Sequence, residues 1–166
     1  MQLKTQTDYA IRILIYLSSV RGYAAKENMS KALGIASNYL PKVIRQLRDK
    51  GWVSSATGFT GGYMLTHSPK DITLLNVMEV MEDTVKMNRC LEPDGFCSRN
   101  ATATCPVHQI YSTFQDFSEQ YFSHVTIQDL LNPKGVEPFL NEILADVRQV
   151  SAVKEISDVS GKQNAK

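Results

Sequence analysis

From Tyr9 to Leu17 apolar side chains are almost continuous. Tyr9, Ile11, Ile13, Leu14, Ile15 and Leu17 cover most of a helical circumference. A helix apolar nearly all round is buried on more than one side. Thr7 is placed to cap this helix, and Asp8 to sit at the positive end of its dipole. The pattern then predicts a short helix, roughly Lys26 to Leu33, ended by Gly34, a residue that takes the left-handed conformation at little cost. Ile35 follows as a buried turn residue. Ser37 is expected to cap a further helix reaching Lys50 and closed by Gly51. Within it Leu40, Val43, Ile44 and Leu47 fall at i, i+3, i+4 and i+7, a core stripe. The opposite face carries Asn38, Pro41, Lys42, Arg45 and Asp49, and Pro41 is early enough to be tolerated.

Downstream the period changes. Trp52 to Ala56 and Tyr63 to Thr66 read as two strands around the turn Thr57-Gly58-Phe59-Thr60-Gly61-Gly62, a β-hairpin with a glycine-rich tip. After Pro69 a capped helix, about Thr73 to Glu82, shows Leu74, Val77, Met78 and Met81 on one face. Pro106 opens a long helix to about His124, with Pro suited to the first turn. Its stripe is Val107, Ile110, Tyr111, Phe114, Phe117, Tyr121 and Phe122. Thr126 to Leu131 reads as a short closing helix, Val136 to Val150 as one more, and Ser151 to Lys166 as a frayed polar tail. The fold class expected is mostly α with a small β-hairpin.

Helix, tight glycine turn and helix form the helix-turn-helix pattern, whose second helix enters the DNA major groove. An ordinary helical corner with a solvated polar face has the same pattern. The hairpin that follows directly favours DNA, because a wing there can track phosphates or reach the minor groove. The wing tip carries no Arg or Lys, so its electrostatic contribution should be weak.

Charge sharpens this picture. The net charge is only +1, but the sum hides a split. The first 50 residues hold nine Lys/Arg against three Asp/Glu, and residues 71–94 hold six acids against two bases. A basic N-terminal half suits a nucleic-acid face joined to a neutral partner module. The length of 166 residues sets a prior of one domain with an appendage. No apolar run of about 18 residues is present to span a membrane. The opening MQLKTQTDYAIRIL lacks the pattern of a secretory signal, so a cytoplasmic protein is expected.

All three cysteines fall in RCLEPDGFCSRNATATCPVH, among Pro93, Gly95, Ser98, Asn100 and Thr102, which favour loops. An odd number excludes complete internal pairing. In a reducing compartment grouped thiols are more often metal ligands or redox groups than structural bridges. Six residues separate the first two cysteines, seven the next two, and two more precede His108. That spacing is too wide for the usual zinc pairs and matches neither common ferredoxin pattern. Three unrelated small buried residues fit the spacing equally well. No acid/base pair or nucleotide motif points to an enzyme.

Taken together, MQLKTQTDYAIRIL, GIASNYLPKVIRQLRDKGWV, the GGY of the wing, DITLLNVMEVMED, the three-cysteine loop and TIQDLL resemble a known family. It is that of the dimeric winged-helix iron–sulfur transcriptional regulators of the IscR/NsrR/RirA type, and the resemblance covers roughly Met1 to Leu131. It implies a winged helix-turn-helix domain over 1–84, a cluster-binding loop over 85–105, and a dimerisation helix with its closing helix over 106–131. Residues 132–166 would be a C-terminal extension. It implies an iron–sulfur cluster, 4Fe-4S or 2Fe-2S, on Cys90, Cys97 and Cys105. The fourth ligand would be Asp8 from a second subunit or, alternatively, His108; the NsrR-like opening favours Asp8. The partners implied are a second copy of the chain and double-stranded DNA carrying a palindromic operator. Contacts to that DNA would map onto Ser37, Asn38, Tyr39, Pro41, Lys42, Arg45, Phe59, Thr60 and Gly61. The function implied is regulation, with repression the expected sign, governed by iron or cluster status, nitric oxide or redox. The alternative is a cluster-free winged-helix regulator whose thiols are structural, zinc-bound or directly oxidised. Two features depart from the family: the intercysteine loops are longer, and Thr57 stands where an arginine usually precedes the first wing glycine.

Overall fold

In the computed structural model, helix α1 (Thr5–Ser19) lies at the centre of the fold, and the described residues are 2–132. It packs on α2 (Lys26–Leu33), α3 (Leu40–Asp49), strand β2 (Gly62–Leu65), α4 (Leu74–Met81) and α6 (Ile127–Leu131). This is why its sequence is apolar on several sides. Ala10, Ile13, Leu14 and Leu17 are buried, and Tyr9, Ile11, Ile15 and Tyr16 pack partly buried around them. The start of α1 differs from expectation. The helix begins two residues before Thr7, and Lys4 occupies its cap position without a side-chain hydrogen bond. Thr7 is instead fully buried in the first turn, where its hydroxyl donates to Glu82 beyond α4.

The α2–α3 unit follows the expected pattern with one change. Gly34 ends α2 at φ 65°, the left-handed conformation. Ile35 is buried behind the turn. α3 then starts at Leu40 rather than after Ser37. The Ala36 carbonyl accepts from the amides of both Tyr39 and Leu40, so the backbone turn does the work expected of a Ser37 cap. Leu40, Val43, Ile44 and Leu47 are all buried, each worth about 1.5–3 kcal/mol of transfer free energy.

Strand β1 (Val53–Ala56) pairs antiparallel with β2, Val53 opposite Leu65 and Ala56 opposite Gly62. Tyr63 also exchanges two backbone hydrogen bonds with Ala24, 2.8 and 2.9 Å, which ties the hairpin to the segment before α2. Thr73 caps α4 in a capping box with Asn76.

Between α4 and α6 the chain makes one long excursion: the cysteine loop, then α5 (Pro106–His124). The entry is fastened to the core by the Glu82 carboxylate, which accepts from the Lys4 amide at 2.8 Å and from the Thr7 hydroxyl, and the exit by two backbone hydrogen bonds. The Leu74 amide donates to Val125 at 2.8 Å and the Ile127 amide to Ile72 at 2.9 Å. Ile127 itself is fully buried. α5 packs on α4 and leaves Val107, Ile110, Phe114 and Phe117 exposed. Met1–Leu131 group as one compact unit. The helix expected over Val136 to Val150 and the polar tail lie outside the described residues. Among the described residues no helix is long and apolar enough to cross a membrane.

Candidate functional site

Two groups of residues stand out, one on α3 and the hairpin, the other on the excursion. On α3 and the turn before it, Ser37, Asn38, Pro41, Lys42 and Arg45 are exposed on one side while the core stripe occupies the other. Tyr39 is half-buried. Its ring meets Tyr9 edge-on, 5.8 Å between centroids, and the Lys42 ammonium lies 5.5 Å from its centroid. Arg45 makes only a loose 3.9 Å pair with Asp49 and stays available for a phosphate. Arg48, which was not among the expected contact residues, is also exposed and borders a cleft of about 440 Å³ whose walls include Lys26, Glu27 and Phe59. It lies at i+3 from Arg45, so the two share one side of α3.

At the hairpin tip Gly58 has φ 109°, and a Cβ on Gly61 would stand 2.4 Å from the Ala56 carbonyl oxygen. The tip therefore needs its glycines for close folding as well as for approach to a ligand. Phe59 and Thr60 are exposed there.

The cysteine loop is built from short turns. Cys90 sits in a 3-10 turn, Arg89–Leu91, where the Asn88 side chain accepts from its amide. Cys97 precedes a turn in which the Asn100 amide donates to its carbonyl, with Asn100 at φ 49°. Cys105 occupies the cap position of α5. All three thiols are free and half-buried. Arg89 forms a bidentate pair with Asp94 and stacks over Phe96 at 5.4 Å. This clasp closes the segment between the first two cysteines.

Gln115, buried on α5, anchors the start of the loop. It accepts from the Met87 amide at 2.7 Å and donates to the Val85 carbonyl and to Glu119. Lys86 adds a 2.6 Å ion pair to Glu119. Desolvation pushes the Glu119 pKa up, but hydrogen bonds from Lys86 and Gln115 outweigh it and leave the carboxyl below its ordinary value.

Of the expected ligands, the fold brings two together. The Nδ1 of His108 lies 3.4 Å from the sulfur of Cys90. Cys97 and Cys105 do not join them. Among the described residues no three His, Cys, Asp or Glu side chains stand close enough to hold a metal ion. The Cys97 thiol nonetheless has a pKa below its ordinary value. The backbone amides of Ala101 and Arg99, assisted by Thr102 and the Arg99 charge, lower its pKa against a smaller desolvation effect. Asp8 is half-exposed on the first turn of α1 and paired with Arg12 at 2.7 Å.

With this arrangement in view, likeness to known proteins becomes informative. The Rrf2 family, described as "Iron-dependent Transcriptional regulator", matches residues 3–133. A protein of Aquifex aeolicus assigned to the HTH-type transcriptional regulators is 33% identical over 125 residues, 75% of this chain and 87% of its own. The HTH-type transcriptional regulator IscR of Pectobacterium carotovorum is 27% identical over 153 residues, 91% of this chain and 92% of its own. Among solved structures, CymR, the global cysteine regulator of B. subtilis, superposes with a TM-score of 0.64 at 22% identity, covering 79% of this chain and 96% of that one. These relatives are regulators rather than enzymes, and the superposition agrees with a winged-helix fold. The chain belongs to the Rrf2 family and is a DNA-binding transcriptional regulator.

Proposed function

We propose that this regulator acts as a homodimer on a palindromic operator, and that an iron–sulfur cluster on Cys90, Cys97 and Cys105 sets its DNA affinity. One observation carries the reading. The chain confines all three cysteines and His108 to a single excursion, fastened at its entry through Glu82 and at its exit through Val125 and Ile127 to the core that carries the exposed α3 face. A change in the thiol loop is thereby mechanically close to the DNA-reading element without sharing residues with it.

Dimerisation is supported by α5. Val107, Ile110, Phe114 and Phe117 are 38–67% exposed along one helix. A second copy that covers them would hold two α3 helices at a fixed separation, as reading two half-sites requires.

The donor set suits the group by its chemistry: three soft thiolates on irregular backbone, one of them with a lowered pKa. For the fourth position His108 has its contact with Cys90 in its favour, whereas Asp8 would exchange its ion pair with Arg12. When bound, the group would supply a labile cross-link that iron shortage, oxygen or nitric oxide can remove. The residues of the chain do the rest: Gln115 and Lys86 transmit the state of the loop to α5, and α3 meets the operator. This is a coupling between two sites, not catalysis.

The lowered Cys97 pKa and the Cys90–His108 contact favour a second reading, direct thiol oxidation without a cluster. Anaerobic purification separates the two. Brown protein with iron and acid-labile sulfide supports the cluster. Colourless, iron-free protein whose DNA affinity responds to oxidant supports the thiol reading.

A further inference from the structure

The wing has nothing with which to hold a phosphate electrostatically: between Gly51 and Thr66 there is no Lys, Arg, Asp or Glu. At its tip stands Phe59, at 107% relative exposure the most exposed of the large apolar side chains among the described residues. The next most exposed of these described residues, Ile110, reaches 67% and lies on α5.

The tip is not slack. The Gly61 amide closes the turn on the Gly58 carbonyl at 3.0 Å. The base is fixed to α3 by the Trp52 amide donating to Leu47 at 3.0 Å, with the indole side chain buried. The Ala24–Tyr63 pair fixes the hairpin on its other side. Phe59 is thus held out at a set position relative to the recognition helix. Arg48 lines the same cleft as Phe59, and Lys42, Arg45 and Lys50 are exposed on α3 and at its end, a set that suits a polyanion.

An aromatic ring meeting a duplex finds apolar surface in two places, a thymine methyl in the major groove or the faces of stacked bases. With α3 in the major groove, the wing beside it meets the adjoining minor groove, which has no methyl groups. Opening a base step there costs a few kcal/mol and costs least at flexible pyrimidine–purine steps.

We propose that Phe59 is an apolar wedge that enters the minor groove beside each half-site and partly unstacks a base step. It would make the protein select operators flanked by a flexible step that no hydrogen bond reads. The proposal rests on the α3 face being the DNA contact.

The test uses the full chain and duplexes that it selects from a random-sequence library, with affinity measured across a salt series. Phe59→Ala should weaken binding roughly tenfold, Phe59→Trp should retain it, and neither should alter the slope of log K against log salt. Lys42→Ala should weaken binding and reduce that slope by about one per subunit. Replacing a flanking TA step with AA should penalise the wild type and leave Phe59→Ala indifferent. A Phe59→Ala variant that binds like the wild type, or suffers the same flank penalty, overturns the wedge. If Lys42→Ala still behaves as stated, the α3 reading survives that result. Failure of the wild type to bind any duplex overturns both.

Discussion

The imidazole Nδ1 of His108 lies 3.4 Å from the sulfur of Cys90, joining the first turn of α5 to the first turn of the cysteine loop across 18 residues of sequence. In the proposed thiol site this pair would be the part already in contact. His108→Ala removes one partly exposed hydrogen bond, so the fold should lose no more than about 1.5 kcal/mol. If His108 completes the site, iron retention should fall sharply in this variant and stay unchanged in Asp8→Ala. Iron and sulfide analysis of anaerobically purified variants measures this. The reverse pattern would assign the position to Asp8.

Glu82 couples α1 to the entry of the excursion. Its carboxylate, only 9% exposed, accepts from the Lys4 amide at 2.8 Å and from the Thr7 hydroxyl. Thr7→Ala leaves a buried acceptor short of a partner. It should cost about 1–3 kcal/mol, read as a lower denaturant midpoint with an unchanged m-value. Thr7→Ser should restore most of the loss.

Gln115→Ala removes the groups that satisfy Met87 and Val85. A similar cost of about 1–3 kcal/mol is expected. Amide exchange should accelerate at residues 85–88, while α2 and α3 stay protected. Uniform acceleration would mean that Gln115 supports the whole fold rather than the loop.

The Arg89–Asp94 clasp gives a pH dependence with a definite sign. Arg89 holds the Asp94 pKa down at about 2, against an ordinary 3.8. A carboxyl with a depressed pKa contributes above its unfolded value and loses that contribution as pH falls through the folded value. In the cluster-free chain the clasp should stay closed above about pH 4 and open between there and about pH 2. Arg89→Ala should return Asp94 toward 3.8, read by carboxyl NMR titration. The pair is exposed, so global stability should barely change.

Sequence periodicity revealed the elements whose causes are local. The 3.6-residue stripe of α3, Gly34 after α2, Thr73 before α4 and Pro106 opening α5 stand where the pattern placed them. It failed where the decisive partner is distant. Thr7 has the look of a cap but serves Glu82, 75 residues away. Ser37 has the same look, yet the turn is closed by backbone groups alone. Gln115 reads as a polar residue on an amphipathic helix, and only folding places Val85 and Met87 around it. The Cys90–His108 contact was legible only as two ligand types in one loop. No periodicity governs an irregular segment, so spacing could not say which thiols approach which.

On the proposed mechanism the thiol loop governs DNA affinity through an iron–sulfur group. The most direct measurement compares the wild type with a Cys90→Ala, Cys97→Ala, Cys105→Ala variant, both purified anaerobically, on a duplex selected by the wild type. The wild type should carry iron and acid-labile sulfide, and its Kd should change by tenfold or more on chelation, a coupling of about 1.4 kcal/mol. The variant should carry no iron and show one Kd under both conditions. A variant whose affinity shifts on chelation as the wild type's does would contradict the account.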